Sequence, residues 1–330
     1  MTINDFFNDA KPMTIPKIKN SSYLLATLAG IFAVIIWSTT IAFSKSVMET
    51  EGNYSAMFLI YFFSGILMFG ILLVWLKKDF FTKWKKLSFK YYSRIGIFLL
   101  LNNTLLFIAI GFTSNENELL IVTIINYLWP IITYIIKVPM FKLKPKVGLF
   151  VLSIVLAVSG VVIAFSQTYS IIEFMQALKT AGYNIWAYLL TFLTAVSWAL
   201  YSNLTKKYHT DDDIAALPII FIVSGLLFLF VQIFHGQFVL SSLSSLYKNY
   251  ELMYMIIGPT ALAYLLWYIA MKKGNKNLVV SISFLIPLLS ILVLSLKFSK
   301  EIGMMFWVAA MFLIAGAFLS YRAVPQVGDH

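Results

Sequence analysis

The sequence predicts an all-α integral membrane protein of ten transmembrane helices, arranged as two inverted five-helix repeats. Three observations point there. The 330 residues are 60% hydrophobic and only 12% charged, with a mean hydropathy of +0.85, whereas about a quarter of a soluble domain's residues are charged. Ten stretches stay apolar for the roughly 20 residues that a helix needs to cross the hydrocarbon of a bilayer. Landmarks in the first half of the chain recur in the second at a nearly constant offset.

The spans fall at 23–45, 54–76, 94–113, 117–138, 147–166, 185–205, 215–235, 252–271, 277–296 and 303–321. The first begins at Tyr23, behind Lys17 and Lys19, and is too long for the apolar core of a cleavable leader, so it is read as retained. The second stops at Lys77-Lys78 and the third starts at Arg94. The fourth lies between Glu116 and Lys142, and the fifth follows Lys146. The sixth ends before Lys206-Lys207, the eighth before Lys272-Lys273, and the ninth lies between Lys276 and Lys297. The tenth ends before Arg322. The connections are short and leave no room for a separate soluble domain. The organisation is a cytoplasmic segment 1–22, a first repeat 23–166, an extracytoplasmic connector 167–184, a second repeat 185–321 and a tail 322–330.

A net charge of +11 would suggest nucleic acid in a soluble protein, but its distribution decides otherwise. Apart from Lys45, Lys179, Lys248, Lys297 and Lys300, the Lys and Arg, 20 of the 25, sit at the N-terminus, the C-terminus and the connections on their side. By the positive-inside rule both termini are cytoplasmic, in a multi-pass protein of the cell inner membrane. The lipid bilayer is then the large partner, nucleic acid has no place, and no oligomer is required. The absence of cysteine removes disulfide and thiol chemistry and says little about compartment.

Trp37 with Lys45 is matched by Trp198 with Lys206 at an offset of 161, and Ser64-Gly65 by Ser224-Gly225 at 160. Pro130 matches Pro287 at 157, and Ser159-Gly160 matches Ala315-Gly316 at 156. Each half holds five spans, and an odd number obliges the second half to enter the membrane from the opposite side. Inverted repeats related by an axis in the membrane plane follow. Gly65, Gly225, Gly160 and Gly316 are read as packing positions, because small residues let membrane helices approach closely.

Within the spans no carboxylate lies at depth, so the usual signature of a proton relay is missing. Glu116 and Glu118 are read as solvated loop residues, and His235, Trp84, Tyr91, Tyr92, Trp186 and Tyr188 as interfacial. There is no metal cluster, no nucleophile beside a base and no phosphate loop. An enzyme has no visible machinery, and no cofactor is implied. What the spans hold is a set of aromatic and neutral polar groups: Trp37, Ser38, Asn102, Asn103, Asn126, Tyr127, Trp129, Trp198, Tyr201, Tyr264, Trp267 and Tyr268. Such groups lining a cavity would stack planar side chains, hold an ammonium over ring faces and hydrogen-bond a zwitterion. A phosphate would ask for Lys or Arg instead.

Pro130 and Pro287 sit in corresponding apolar spans, and a proline inside a helix leaves the carbonyl four residues back without its donor. The carbonyls of Asn126 and Ser283 are thereby freed, and both prolines are candidate hinges beside a midplane binding site.

With Ile36-Trp37-Ser38-Thr39, Asn126-Tyr127-Leu128-Trp129-Pro130, Trp198-Ala199-x-Tyr201, Ala263-Tyr264-x-x-Trp267 and Pro287-Leu-Leu-Ser290, the chain resembles the aromatic amino-acid exporters (YddG type) of the drug/metabolite transporter superfamily, EamA class. The likeness covers nearly all the chain, and the Asn-Tyr-Leu-Trp-Pro run is its most specific piece. It implies an exporter of aromatic and other neutral amino acids, working by alternating access around a cavity lined by spans 1, 3, 4, 6, 8 and 9. Carried over, Trp37, Ser38, Asn102, Asn126, Tyr127, Trp129, Trp198, Tyr201, Tyr264 and Trp267 become substrate-binding candidates. Asn102-Asn103 and Tyr268 depart from the family's pattern and leave the substrate open. An exporter of drugs or organic cations with the same fold is the alternative, and a non-transporting scaffold or receptor is a third reading.

Overall fold

The computed structural model of the chain describes residues 21–167, 183–208, 213–234 and 245–325. Most of the connector expected over 167–184, and His235, lie outside the described residues. Helix α1 runs as Ser21–Ser38 and Thr40–Glu51, α2 as Asn53–Leu76 and α3 as Phe89–Gly111. Helix α4 comprises Glu116–Asn126 and Trp129–Met140, and α5 is Val147–Ser166. In the second half α6 is Tyr183–Lys207, α7 Leu217–Phe234 and α8 Tyr250–Lys273. Helix α9 is split into Lys276–Ser283 and Ile286–Lys297, and α10 is Met304–Ala323. Nine helices among the described residues are long and apolar enough to cross a membrane. The expected ninth span is not among them; it is split, and its second piece, Ile286–Lys297, is a shorter apolar helix.

Proline chemistry places the breaks. Each second half of α4 and α9 opens with proline near its start, Pro130 and Pro287, where a missing N–H costs nothing. The residues between the halves, Tyr127-Leu128 and Phe284-Leu285, form tight turns. Leu128 N donates to the Ile125 carbonyl at 3.1 Å and Ile132 N to the Leu128 carbonyl at 3.0 Å. In the other repeat Leu285 N donates to the Ile282 carbonyl at 2.9 Å and Leu289 N to the Leu285 carbonyl at 3.1 Å. The first halves also start alike: the Asn115 side chain accepts from Glu118 N at 3.0 Å, and Asn275 accepts from Leu278 N at 3.1 Å.

The packing survives exchange of the two repeats. Helix α1 packs on α8 and, equivalently, α6 on α3; α9 packs on α1 and α4 on α6; α2 crosses α7, and α5 crosses α10. The two self-related crossings are made by the paired glycines. A Cβ on Gly65 would lie 2.6 Å from Ile222, and one on Gly225 2.6 Å from the Phe62 amide nitrogen. One on Gly160 would lie 2.7 Å from the Ala309 carbonyl, and one on Gly316 2.7 Å from that of Ser153. Backbone cannot yield as a side-chain tip can, so these positions require glycine at this helix separation.

Several expectations change. Glu118 is buried, not solvated: it takes Ser114 N at 2.8 Å and Asn115 Nδ2 at 3.1 Å, completing a capping box at the start of α4. Lys137 lies inside α4, with its ammonium 5.3 Å from the Tyr134 ring centre. Tyr91 and Tyr188 are buried where interfacial anchors were expected, while Trp84 and Trp186 are exposed. Helix α1 breaks at Thr39 without a proline, and α8 passes through a π-helical stretch, Ile256–Leu262, around Pro259.

Candidate functional site

At Thr39 the first span changes its bonding. Thr39 N and its hydroxyl both donate to the Ile36 carbonyl, at 3.1 and 2.7 Å, so that acceptor is lost to Thr40. The Ser38 hydroxyl turns back to the Ile35 carbonyl at 2.6 Å. The Ser38 carbonyl accepts Ser290 Oγ from α9 at 2.8 Å, and Ser290 Oγ also lies 2.6 Å from the Tyr127 hydroxyl. Three interrupted helices, α1, α4 and α9, are thus tied at one buried node. The Tyr127 hydroxyl is committed at that node and the Ser38 hydroxyl to its own helix, and neither residue is among those lining the cavity described below.

The aromatic residues do converge. Trp37 and Trp198, the repeat-related pair, meet edge to face with ring centres 6.0 Å apart. Equivalent residues touch only where both lie near the axis that relates the repeats, so this pair lies on that axis. Around it stand Tyr264 at 5.2 Å and Trp267 at 5.3 Å from Trp37, and Trp129 at 6.1 Å and Tyr201 at 5.9 Å from Trp198. The π-helical stretch of α8 presents the Pro259 carbonyl to Trp37 Nε1 at 3.1 Å, which fixes the indole. Asn126 is partly buried at the end of the first half of α4.

Beside these rings lies a cavity of about 50 Å³, lined among others by Trp37, Thr40, Tyr61, Asn102, Asn103 and Tyr264. Helices α2 and α7 contribute Tyr61 and Phe221, which sequence reasoning did not place there, while α4 and α6 supply none of its lining. The lining holds no charged side chain. Asn103 sits eight residues before the end of α3 at Gly111, about 12 Å into the bundle. A larger hollow of about 310 Å³ lies between α4, α5 and α6, but its lining is apolar, and Val158, Val162, Leu189 and Phe192 are exposed at its mouth. It offers nothing to hold a zwitterion.

Beyond the cavity, at the end bearing Glu51, Thr113 and Asn249, the bundle is shut. Phe43 packs on Tyr254 at 4.9 Å, whose hydroxyl lies 2.7 Å from that of Thr39. Lys297 pairs with Glu251 and lies 5.2 Å from the Phe43 ring centre. Lys300 reaches Asn117 at 2.9 Å and Glu116 at 3.4 Å, and Asn249 reaches Glu51 at 2.8 Å.

Two helical repeats around a cavity without charged side chains have the architecture of a membrane transporter. The chain belongs to the EamA-like transporter family, which matches residues 24–166 and 185–322. That family consists of transporters, not enzymes. The chain is 24% identical over 303 residues to a protein of Salmonella typhimurium (strain 14028s / SGSC 2262) named aromatic amino acid exporter YddG, across 91% of this chain and 98% of that one. It is 23% identical over 313 residues to the Escherichia coli (strain K12) protein of the same name, with the same coverage. A solved crystal structure at 18% identity superposes with a TM-score of 0.62, covering 91% of this chain and 98% of its own, which supports the fold.

Proposed function

We propose that this chain exports aromatic and other neutral amino acids by alternating access, down the substrate's own gradient. The observation that carries this is the meeting of Trp37 and Trp198, with Tyr264, Trp267 and Trp129 around them, beside an uncharged cavity that holds Asn102, Asn103 and Thr40. Rings in this arrangement stack a planar side chain and attract an ammonium, and the names of the relatives support the same substrate class. A cavity of about 50 Å³ is far below the ~300 Å³ or more of a pocket that buries a small ligand. Binding therefore requires the rings to part, and the paired breaks at Pro130 and Pro287 are the hinges for that motion.

In proteoliposomes, radiolabelled phenylalanine should exchange against unlabelled phenylalanine or tryptophan, and downhill flux should survive an uncoupler. Loss of downhill flux on collapse of the pH gradient would overturn the uncoupled mechanism. Flux of an aromatic cation with none of phenylalanine would replace the substrate class.

The orientation rests on the basic residues. We infer that the connection holding Lys77 to Arg94 faces the cytoplasm of the inner membrane and that Ser114 faces outward. Both Ser88 and Ser114 are exposed, and the chain has no cysteine of its own. Ser114→Cys should react with an impermeant maleimide in intact cells while Ser88→Cys stays unlabelled until lysis, and the reverse pattern would invert the topology.

A further inference from the structure

We propose that Asn103 and Thr40 form the subsite that takes the carboxylate of the transported amino acid, an assignment that rests on the amino-acid reading above. Asn103 is 2% exposed, and every polar atom it presents is engaged except one. Its main-chain carbonyl accepts the Tyr61 hydroxyl at 2.8 Å, which pins the residue in α3. Its Oδ1 accepts Asn102 Nδ2 at 3.4 Å and the Tyr264 hydroxyl at 3.5 Å, which sets the direction of the amide. Its Nδ2 is buried with no hydrogen-bond partner, and so is the hydroxyl of Thr40. Both residues line the central cavity.

The Thr40 hydroxyl is free for a local reason. The acceptor one turn back, the Ile36 carbonyl, is already used by Thr39, so the break in α1 leaves this group unpaired in the cavity wall. Native folds rarely bury unpaired polar atoms, and two in one cavity call for a ligand atom that satisfies both. The amide nitrogen can only donate, which excludes a cation, and the hydroxyl can donate beside it. Two donors lining one cavity suit a carboxylate. A phosphate would demand compensating positive charge, and the lining has none. With the carboxylate held on Asn103 and Thr40, the ammonium and ring of the substrate extend toward Trp37 and Tyr264, where ring faces receive them. Asn103 thereby selects amino acids over the amines that share their side chains.

The test compares L-phenylalanine with phenethylamine, which keeps the ring and the ammonium but has no carboxylate, using binding to the purified full chain. Wild type should bind phenylalanine at least about tenfold more tightly, the usual worth of a hydrogen bond to a charged group. Asn103→Leu should bring that ratio close to one while phenethylamine affinity is kept. Asn103→Asp, which conserves shape, should weaken phenylalanine and strengthen phenethylamine, and Thr40→Val should move the ratio the same way as Asn103→Leu by a smaller factor. Equal losses for both ligands in the Asn103 variants, or an unchanged ratio, would overturn the subsite and leave amino-acid transport standing. If wild type binds neither ligand, the amino-acid reading falls first and the subsite with it.

Discussion

Trp198→Ala should cut export of phenylalanine and tryptophan by an order of magnitude or more while leaving the folded protein in the membrane. The Trp198 ring touches Trp37 at 6.0 Å, Trp129 at 6.1 Å, Tyr201 at 5.9 Å and Tyr264 at 6.1 Å. Each such ring pair contributes ~0.5–1.5 kcal/mol beyond burial, and truncating a packed tryptophan costs ~3–5 kcal/mol in all. If half or more of that loss falls on the substrate-bound state, aromatic transport drops about tenfold or more. Alanine and threonine, which have no ring to stack, should lose less. Trp198→Phe should recover part of the rate. Trp129→Ala should do less damage than Trp198→Ala, because among the described residues Trp129 meets the ring of Trp198 alone whereas Trp198 meets four. Trp84 is 40% exposed on the basic helix Lys78–Lys86, so Trp84→Ala should leave transport near wild type. Wild-type tryptophan transport by Trp198→Ala, or equal damage from Trp84→Ala, would move the site elsewhere.

How much of this could be read in the sequence depends on how local the cause is. Pro130 and Pro287 announce their breaks because a missing N–H acts wherever proline stands in a helix, and the turns fall two to three residues ahead of each. Paired glycines announce close crossings for the same reason: the absent Cβ is a property of the residue. The break at Thr39 has no such mark. It depends on Ser38 and Thr39 bonding back to their own helix and on Ser290 arriving from α9. Tyr127 is a cavity candidate from its aromatic ring at depth and its place in the Asn-Tyr-Leu-Trp-Pro run, neither of which announces that its hydroxyl meets Ser290, far away in sequence. Among Asn102 and Asn103, periodicity gives no choice, since α3 is apolar on every side and adjacent residues differ by 100°. Only the packing of Tyr61 and Tyr264 shows that Asn103 is the one held in the wall. Glu118 was misread because a carboxylate at a span's edge resembles loop, although Asn115 three residues earlier spells the capping box.

Glu251→Gln should open the far end of the bundle about 30-fold more often. Five basic residues depart from the basic side of the sequence, and three of them are engaged at this closed end. Lys297 pairs with Glu251, Lys300 reaches Glu116, and Lys45 donates to the Thr113 carbonyl at 2.7 Å. The repeat mates of Glu251 and Lys297, at offsets of 160 and 157, are Tyr91 and Met140, so this pair has no counterpart at the other end. Two identical repeats would close both ends equally, and a pair at one end biases the equilibrium toward closure there. The Glu251 and Lys297 side chains are 12% and 22% exposed, which places loss of one partner at about 2 kcal/mol, below the ~3–5 kcal/mol of a fully buried pair. That free energy corresponds to the ~30-fold shift in population. Val47 is fully buried in α1 on the same side, and Val47→Cys in this cysteine-free chain serves as reporter. Its labelling by an impermeant maleimide should accelerate in Glu251→Gln and in Lys297→Met. The double variant should label more slowly than either single one, because no charge is left buried alone. Unchanged labelling in both single variants, or a double variant that labels at the product of their two accelerations, would show that the pair is surface electrostatics and holds nothing shut.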